Sequence, residues 1–167
     1  MPVPYMTLLM GKVGVYLIVC LAQTVAMLLA GIMLLPLFGL PMLVLGDDIL
    51  GLFVMTLVVS MASVGYGMMI GTIAKTHQQA AAFGSISIII LAAMGGLWVP
   101  IYLMPPFMRN ISLLSPLNWA ITGYYSIFLR GGNLLQIAPQ AIKLLIFFLS
   151  TVIISGIYHK YKSPLNN

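Results

Sequence analysis

Four apolar runs decide what this chain can fold into. They cover residues 13–35, 49–74, 80–98 and 141–158, and none carries a charge in its middle. A helix over 13–35 is roughly 34 Å long, enough to cross a hydrocarbon core of about 30 Å. Lipid offers a backbone no water to bond, so such a run must close its own hydrogen bonds as a helix. Charged residues make up 5% of the sequence, where a water-soluble domain has about a quarter. The expected fold is therefore an all-α integral membrane protein. It forms one membrane domain over 1–167, with spans near 13–35, 49–74, 80–98 and 139–160. The single cysteine, Cys20, lies inside the first run and reads as a packing residue.

A net charge of +5 invites a nucleic-acid reading, but the distribution rejects it. Lys12, Lys75, Arg109, Arg130, Lys143, Lys160 and Lys162 are scattered at the ends of the runs, as topology signals and headgroup anchors are. Four spans put both termini on one side. The side holding Lys12, Lys75, Lys160 and Lys162 has the larger Lys/Arg count and no acid, so it is assigned to the cytoplasm. Run 13–35 is too long for a signal-peptide core, and no cleavage site follows it. Asp47 and Asp48 sit where the second helix starts. Carboxylates suit the positive end of its dipole there, and two aspartates without a histidine make a poor metal cage.

The second run carries small residues at Thr56, Ser60, Ser63, Gly67 and Gly71, a GxxxG included. Such a row lines one helix face and lets backbones approach closely in lipid, so it reads as a packing surface. Gln23, near the middle of the first run, reads as an interhelical hydrogen-bond partner.

Residues 99–140 are apolar and aromatic, yet too short and too interrupted for another pair of spans. Trp98 and Tyr102 mark an interface belt. Pro105 and Pro106 open a short helix over 105–114. Ser115 as N-cap and Pro116 at the first helical position start a second, which runs to Arg130 and stops at Gly131-Gly132. That helix spans about 22 Å, too little to cross. Asn118, Thr122, Ser126 and Arg130 form a polar stripe along it. A short apolar helix with one polar stripe reads as re-entrant or interfacial, tolerated where protein or a water-filled cavity covers the stripe. Pro139 is expected to start the last span, with Lys143 snorkelling outward.

The ordered motifs resemble those of type-2 ABC transporter permeases, the membrane subunits of ABC exporters. Leu8-Leu-Met-Gly-Lys12 before a span is similar to the cytoplasmic segment ahead of that family's third helix. Ile73-Ala-Lys-Thr-His-Gln-Gln-Ala80 resembles its short loop between the fourth and fifth helices. Met104-Pro-Pro-Phe-Met108 and Ile111-Ser-Leu-Leu-Ser-Pro-Leu-Asn-Trp-Ala120 resemble its outer re-entrant pair, over 104–132. Family members usually have six spans, and the four here match the last four, as in the C-terminal part of a permease.

The resemblance implies ATP-driven export across a membrane, with a bacterial inner membrane as the expected location. No GxxxxGK[ST] pattern occurs in the sequence, so a separate ATPase subunit would bind the ATP. The chain itself is expected to be no enzyme and to hold no cofactor or metal. The expected partners are that ATPase, a second permease subunit and the bilayer. The expected coupling surface is Leu9, Gly11, Lys12, Lys75, Thr76, His77, Gln78 and Gln79, and the expected exit path is the stripe Asn118, Thr122, Ser126 and Arg130. Three rivals remain: an ion-coupled secondary transporter, a small pore or scaffold protein, and a membrane-embedded enzyme. The first commonly needs an ionisable residue at depth, and none of the runs has one there. The last needs a cluster of acidic, histidine or serine side chains at one depth, and the sequence has no glutamate.

Overall fold

The computed structural model describes residues 5–46 and 48–162. In chain order its helices are α1 (Tyr5–Leu37), α2 (Ile49–Ile73), α3 (His77–Met94), α4 (Pro106–Ser112), α5 (Pro116–Arg130) and α6 (Leu134–Lys162), with a 3-10 turn over Ile101–Leu103 before α4. Among the described residues there is no strand, and four helices are long and apolar enough to cross a membrane: Gly11–Leu37, Ile49–Ile73, His77–Met94 and Leu134–Tyr161. The chain is an all-α integral membrane protein.

Three boundaries differ from the expected ones by four residues or more, each for a local reason. The first helix begins at Tyr5, so Leu9, Gly11 and Lys12 lie within it and not in a preceding segment. Its 33 residues reach about 50 Å, well beyond one hydrocarbon core. The third ends at Met94, because Gly96 turns the chain with φ +90°. Trp98 therefore falls in the following loop. The sixth opens at Leu134, five residues ahead of the expected start, with Pro139 inside it. The Asn133 carbonyl accepts from the Gln136 and Ile137 N–H groups and starts the turn before the proline is reached. Pro139 then removes the one bond that the Leu135 carbonyl would have received.

The second helix is the centre of the bundle. Its most extensive partner is α6, then α1 and α5. Leu52, Met55, Val58 and Ala62 of α2 pack with Ala120 and Ile127 of α5 and with Ile137 and Leu144 of α6. The contacts between α2 and α6 advance together along both chains, so the two helices run parallel. Gly51 meets Ile137, Gly65 meets Phe148 and Thr151, and Thr72 shares a 2.8 Å hydrogen bond with Ser155. A Cβ on Gly65 would lie 2.6 Å from Thr151 Oγ1 and 2.7 Å from the Phe148 ring, so glycine is what permits this approach. Close backbone approach is how helices associate in lipid, where apolar burial alone gives no advantage.

The expected packing row divides. Thr56 and Ser60 are buried, whereas Ser63, Gly67 and Gly71 are exposed, and a Cβ on either of those glycines would meet nothing within 4 Å. The hydrogen bond and close contacts of α5 with α2 fall near the start of α2. Gly123 packs on Met55, the Tyr124 hydroxyl donates to Thr56 Oγ1 at 3.3 Å, and the Ile127 carbonyl lies against Gly46. The flanks are open. Half of α2's apolar stretch is buried, and none of α1's is. Gln23 is exposed on α1. Lys143 is exposed, and its ammonium lies 6.0 Å from the Trp119 ring centroid, in cation–π reach.

Candidate functional site

Two places on the molecule answer to the expected sites, at opposite ends of α2. The first is the turn from α2 into α3. Ala74 leaves the helix in extended conformation, and Thr76 caps α3, its Oγ1 accepting from the Gln79 N–H at 3.2 Å. Gln79 reaches back, its Oε1 accepting from the Lys75 N–H at 3.0 Å. This is close to a capping box, in which the side chain at the third helical position reaches back to the chain just before the helix. His77, Gln78 and Gln79 are thus the first turn of α3 rather than a loop. Thr76 and Gln79 are spent on holding the turn, which leaves Lys75, His77 and Gln78 exposed with their side chains presented outward. Gly11 and Lys12 are also exposed, on α1. The spacing Thr76-x-x-Gln79 was the sequence signal for this cap.

The second place is α5. Pro116 opens it and Gly131, at φ +59°, closes it in the left-handed conformation that favours glycine. Ser115 occupies the N-cap position without capping. Its hydroxyl donates to the Leu91 carbonyl of α3 at 3.3 Å and so ties two helices instead. The stripe does not keep to one surface. Asn118 is 4% exposed, Thr122 and Ser126 are half-buried, and Arg130 is exposed. Residues four apart on a helix drift by about 40° per step, so twelve residues carry the stripe about a third of the way round. Thr122 Oγ1 donates to Asn118 Oδ1 at 3.5 Å, and the Ser126 hydroxyl donates to the Thr122 carbonyl at 3.0 Å. The Asn118 Nδ2 is buried without a hydrogen-bond partner. A buried donor of this kind costs roughly 1–3 kcal/mol until something bonds it, which makes it the chemically open point of the stripe.

At the same end, Asp48 caps α2, its Oδ1 accepting from the Gly51 N–H at 2.9 Å. Its other oxygen accepts from the Leu134 N–H, the first of α6, at 2.7 Å. The dipole reading from the sequence accounts for the first bond and missed the second, which joins residues 86 apart in the chain. Asp47 lies outside the described residues. Among the described residues no three His, Cys, Asp or Glu side chains form a metal-binding group.

The sequence model of the ABC-2 type transporter family matches residues 1–129 of this chain. The chain belongs to that family. The linearmycin resistance permease protein LnrN of Bacillus subtilis (strain 168) is 34% identical over 74 residues, which cover 44% of this chain and 19% of that protein. No solved structure matches the chain. The family is the one the ordered motifs resemble, and the match runs from α1 almost to the end of α5.

Proposed function

We propose that this chain is the membrane-spanning subunit of an ABC exporter, driven by ATP that a separate ATPase subunit binds and hydrolyses. The observation that carries the reading is membership of the ABC-2 type transporter family over 1–129. The exposed α2–α3 turn supports it from the structure side. It presents a cation, an imidazole and an amide on a rigid, self-capped corner, which suits a protein partner docking from water. In this reading Lys75, His77 and Gln78 contact the ATPase, Thr76 and Gln79 hold them in place, and the exposed Gly11 and Lys12 of α1 also contribute; the side chain of Leu9, expected there too, lies outside the described ones. The corner faces the cytoplasm, with both termini on that side of a bacterial inner membrane. A second permease subunit completes the assembly, and the open flanks of α1 and α3 leave room for it. Closure of the ATPases on nucleotide would rock α2 and α3 at this corner and release cargo outward past α5, along Asn118, Thr122, Ser126 and Arg130. The name of the Bacillus relative, a resistance permease, favours a cargo that the cell expels.

The test is a detergent pull-down of the tagged chain from its native membrane, scored for a nucleotide-binding partner. The native chain is expected to recover an ATPase. The triple variant Lys75→Ala, His77→Ala, Gln78→Ala, which leaves the cap intact, is expected to lose it while its thermal unfolding stays unchanged. A stable native chain that brings down no ATPase would contradict the proposal.

A further inference from the structure

We infer that Asp48 is a positioning residue for the exit: its carboxylate pins α6 to α2 and so fixes the pivot from which α5 hangs. The inference rests on the export reading for its meaning and on the geometry for its existence. Both carboxylate oxygens are in use, one on the Gly51 N–H and one on the Leu134 N–H. Each is a charge-assisted bond to the start of a helix, the end where a carboxylate is also favoured by the dipole. Leu134 is joined to the end of α5 by three residues only, 131–133, and the first two are glycines. The Gly132 N–H donates back to the Ser126 carbonyl at 2.8 Å, so the end of α5 is closed on itself. The segment before Asp48 touches α5 as well, since a Cβ on Gly46 would lie 2.9 Å from the Ile127 carbonyl. Further along, Gly65 lets α2 and α6 pack as one unit. A movement of α5 away from α2 about residues 131–133 would leave the α2–α6 unit in place while loosening α5 from both helices. Asp48 holds the fixed side of that turn.

One substitution separates this role from ordinary capping. Asparagine caps a helix as well as aspartate does. Its amide, however, has one acceptor oxygen where the carboxylate has two. Asp48→Asn can keep the bond to Gly51, but it then turns an NH2 group toward the Leu134 N–H. A second variant removes the same bond from the other side. Leu134→Pro deletes the donor at the first helical position, where proline is well tolerated.

The experiment is hydrogen–deuterium exchange on the full chain in lipid nanodiscs. It is paired with a spin-label distance between Phe53→Cys on α2 and Leu129→Cys on α5 in a Cys20→Ala background. Asp48→Asn is expected to speed exchange at Gln136 and Ile137 by roughly tenfold or more, leaving Leu52 and Phe53 within about twofold. The α2–α5 distance distribution is expected to broaden. Leu134→Pro, which also loses a side chain packed against the core, is expected to give at least the same change at Gln136 and Ile137, and the double variant no more than Leu134→Pro alone. Unchanged exchange at Gln136 and Ile137 in Asp48→Asn would overturn the inference, and so would faster exchange throughout the chain, because that reports general unfolding. These readouts need no ATPase. A failed pull-down with a positive exchange result would sink the export reading and leave the tie standing, and the reverse result would sink the tie alone.

Discussion

The two ends of α2 are held by different means. At the α5 end, side chains and backbone from four segments interlock: Asp48 bonds α6, Gly46 admits Ile127, Gly123 admits Met55, and Tyr124 bonds Thr56. At the α3 end, a hydrogen bond between Thr72 and Ser155 ties α2 to α6, and the turn itself is held by its own residues, Thr76 and Gln79; Ser63 is exposed, and a Cβ on Gly67 or Gly71 would meet nothing within 4 Å. The contrast teaches where a membrane subunit of this kind is finished and where it is not. Several polar bonds and missing Cβ atoms lock the first end to α5 and α6. The second end is tied to α6 at Thr72 and is otherwise exposed, which is where the proposed partner would dock.

That contrast can be broken most severely at Gly65. Gly65→Ala forces a methyl against the Thr151 hydroxyl and the Phe148 ring, neither of which is a flexible chain end. The expected loss is about 2–3 kcal/mol of stability, read from unfolding in detergent followed by tryptophan fluorescence. Gly46→Ala comes next. Its φ of +77° is strained for any side chain, and the new methyl meets a backbone carbonyl. A loss of about 1–3 kcal/mol is expected in the same measurement, together with faster exchange along α5. Thr76→Ala removes the cap of α3 and should cost about 1 kcal/mol, with faster amide exchange confined to the first turn of α3. The smallest effect belongs to Gly67→Ala and Gly71→Ala. Neither methyl meets anything in the chain, so stability of the isolated subunit should stay within about 0.5–1 kcal/mol and move upward if at all. A large loss at Gly67 would mean that the open half of α2 is in fact packed.

Much of the fold was legible because hydropathy and helix punctuation are local. The apolar runs announced the spanning helices, and Pro116 and Gly131 bounded α5 to the residue. Less was legible where a tertiary contact chose between local options. Small residues four apart mark a helix face, but nothing local says whether a neighbour lies against it. The glycine that carries the α2–α6 approach is Gly65, off the row, and the row's own glycines stay open. Ser115 and Pro116 looked like a self-contained helix start, yet the serine hydroxyl serves α3. The start of α6 moved ahead of Pro139 because of the hydrogen bonds made by Asn133 and Asp48, and the second of these reaches across 86 residues. The polar residues of α5 stand four apart in the sequence, and the drift of a four-residue repeat buries Asn118 at one end and exposes Arg130 at the other.

The central claim is that the α2–α3 corner receives an ATPase. A photo-reactive amino acid placed at Gln78, in the native membrane, tests it most directly, with the same probe at Trp98 as the comparison site. Both side chains are exposed; Gln78 is in the first turn of α3, and Trp98 is in the loop that follows its other end. The account predicts a crosslink from Gln78 to a polypeptide that binds ATP, and none from Trp98. A native, well-expressed chain that crosslinks to no nucleotide-binding protein from Gln78, or does so from Trp98 instead, would contradict it.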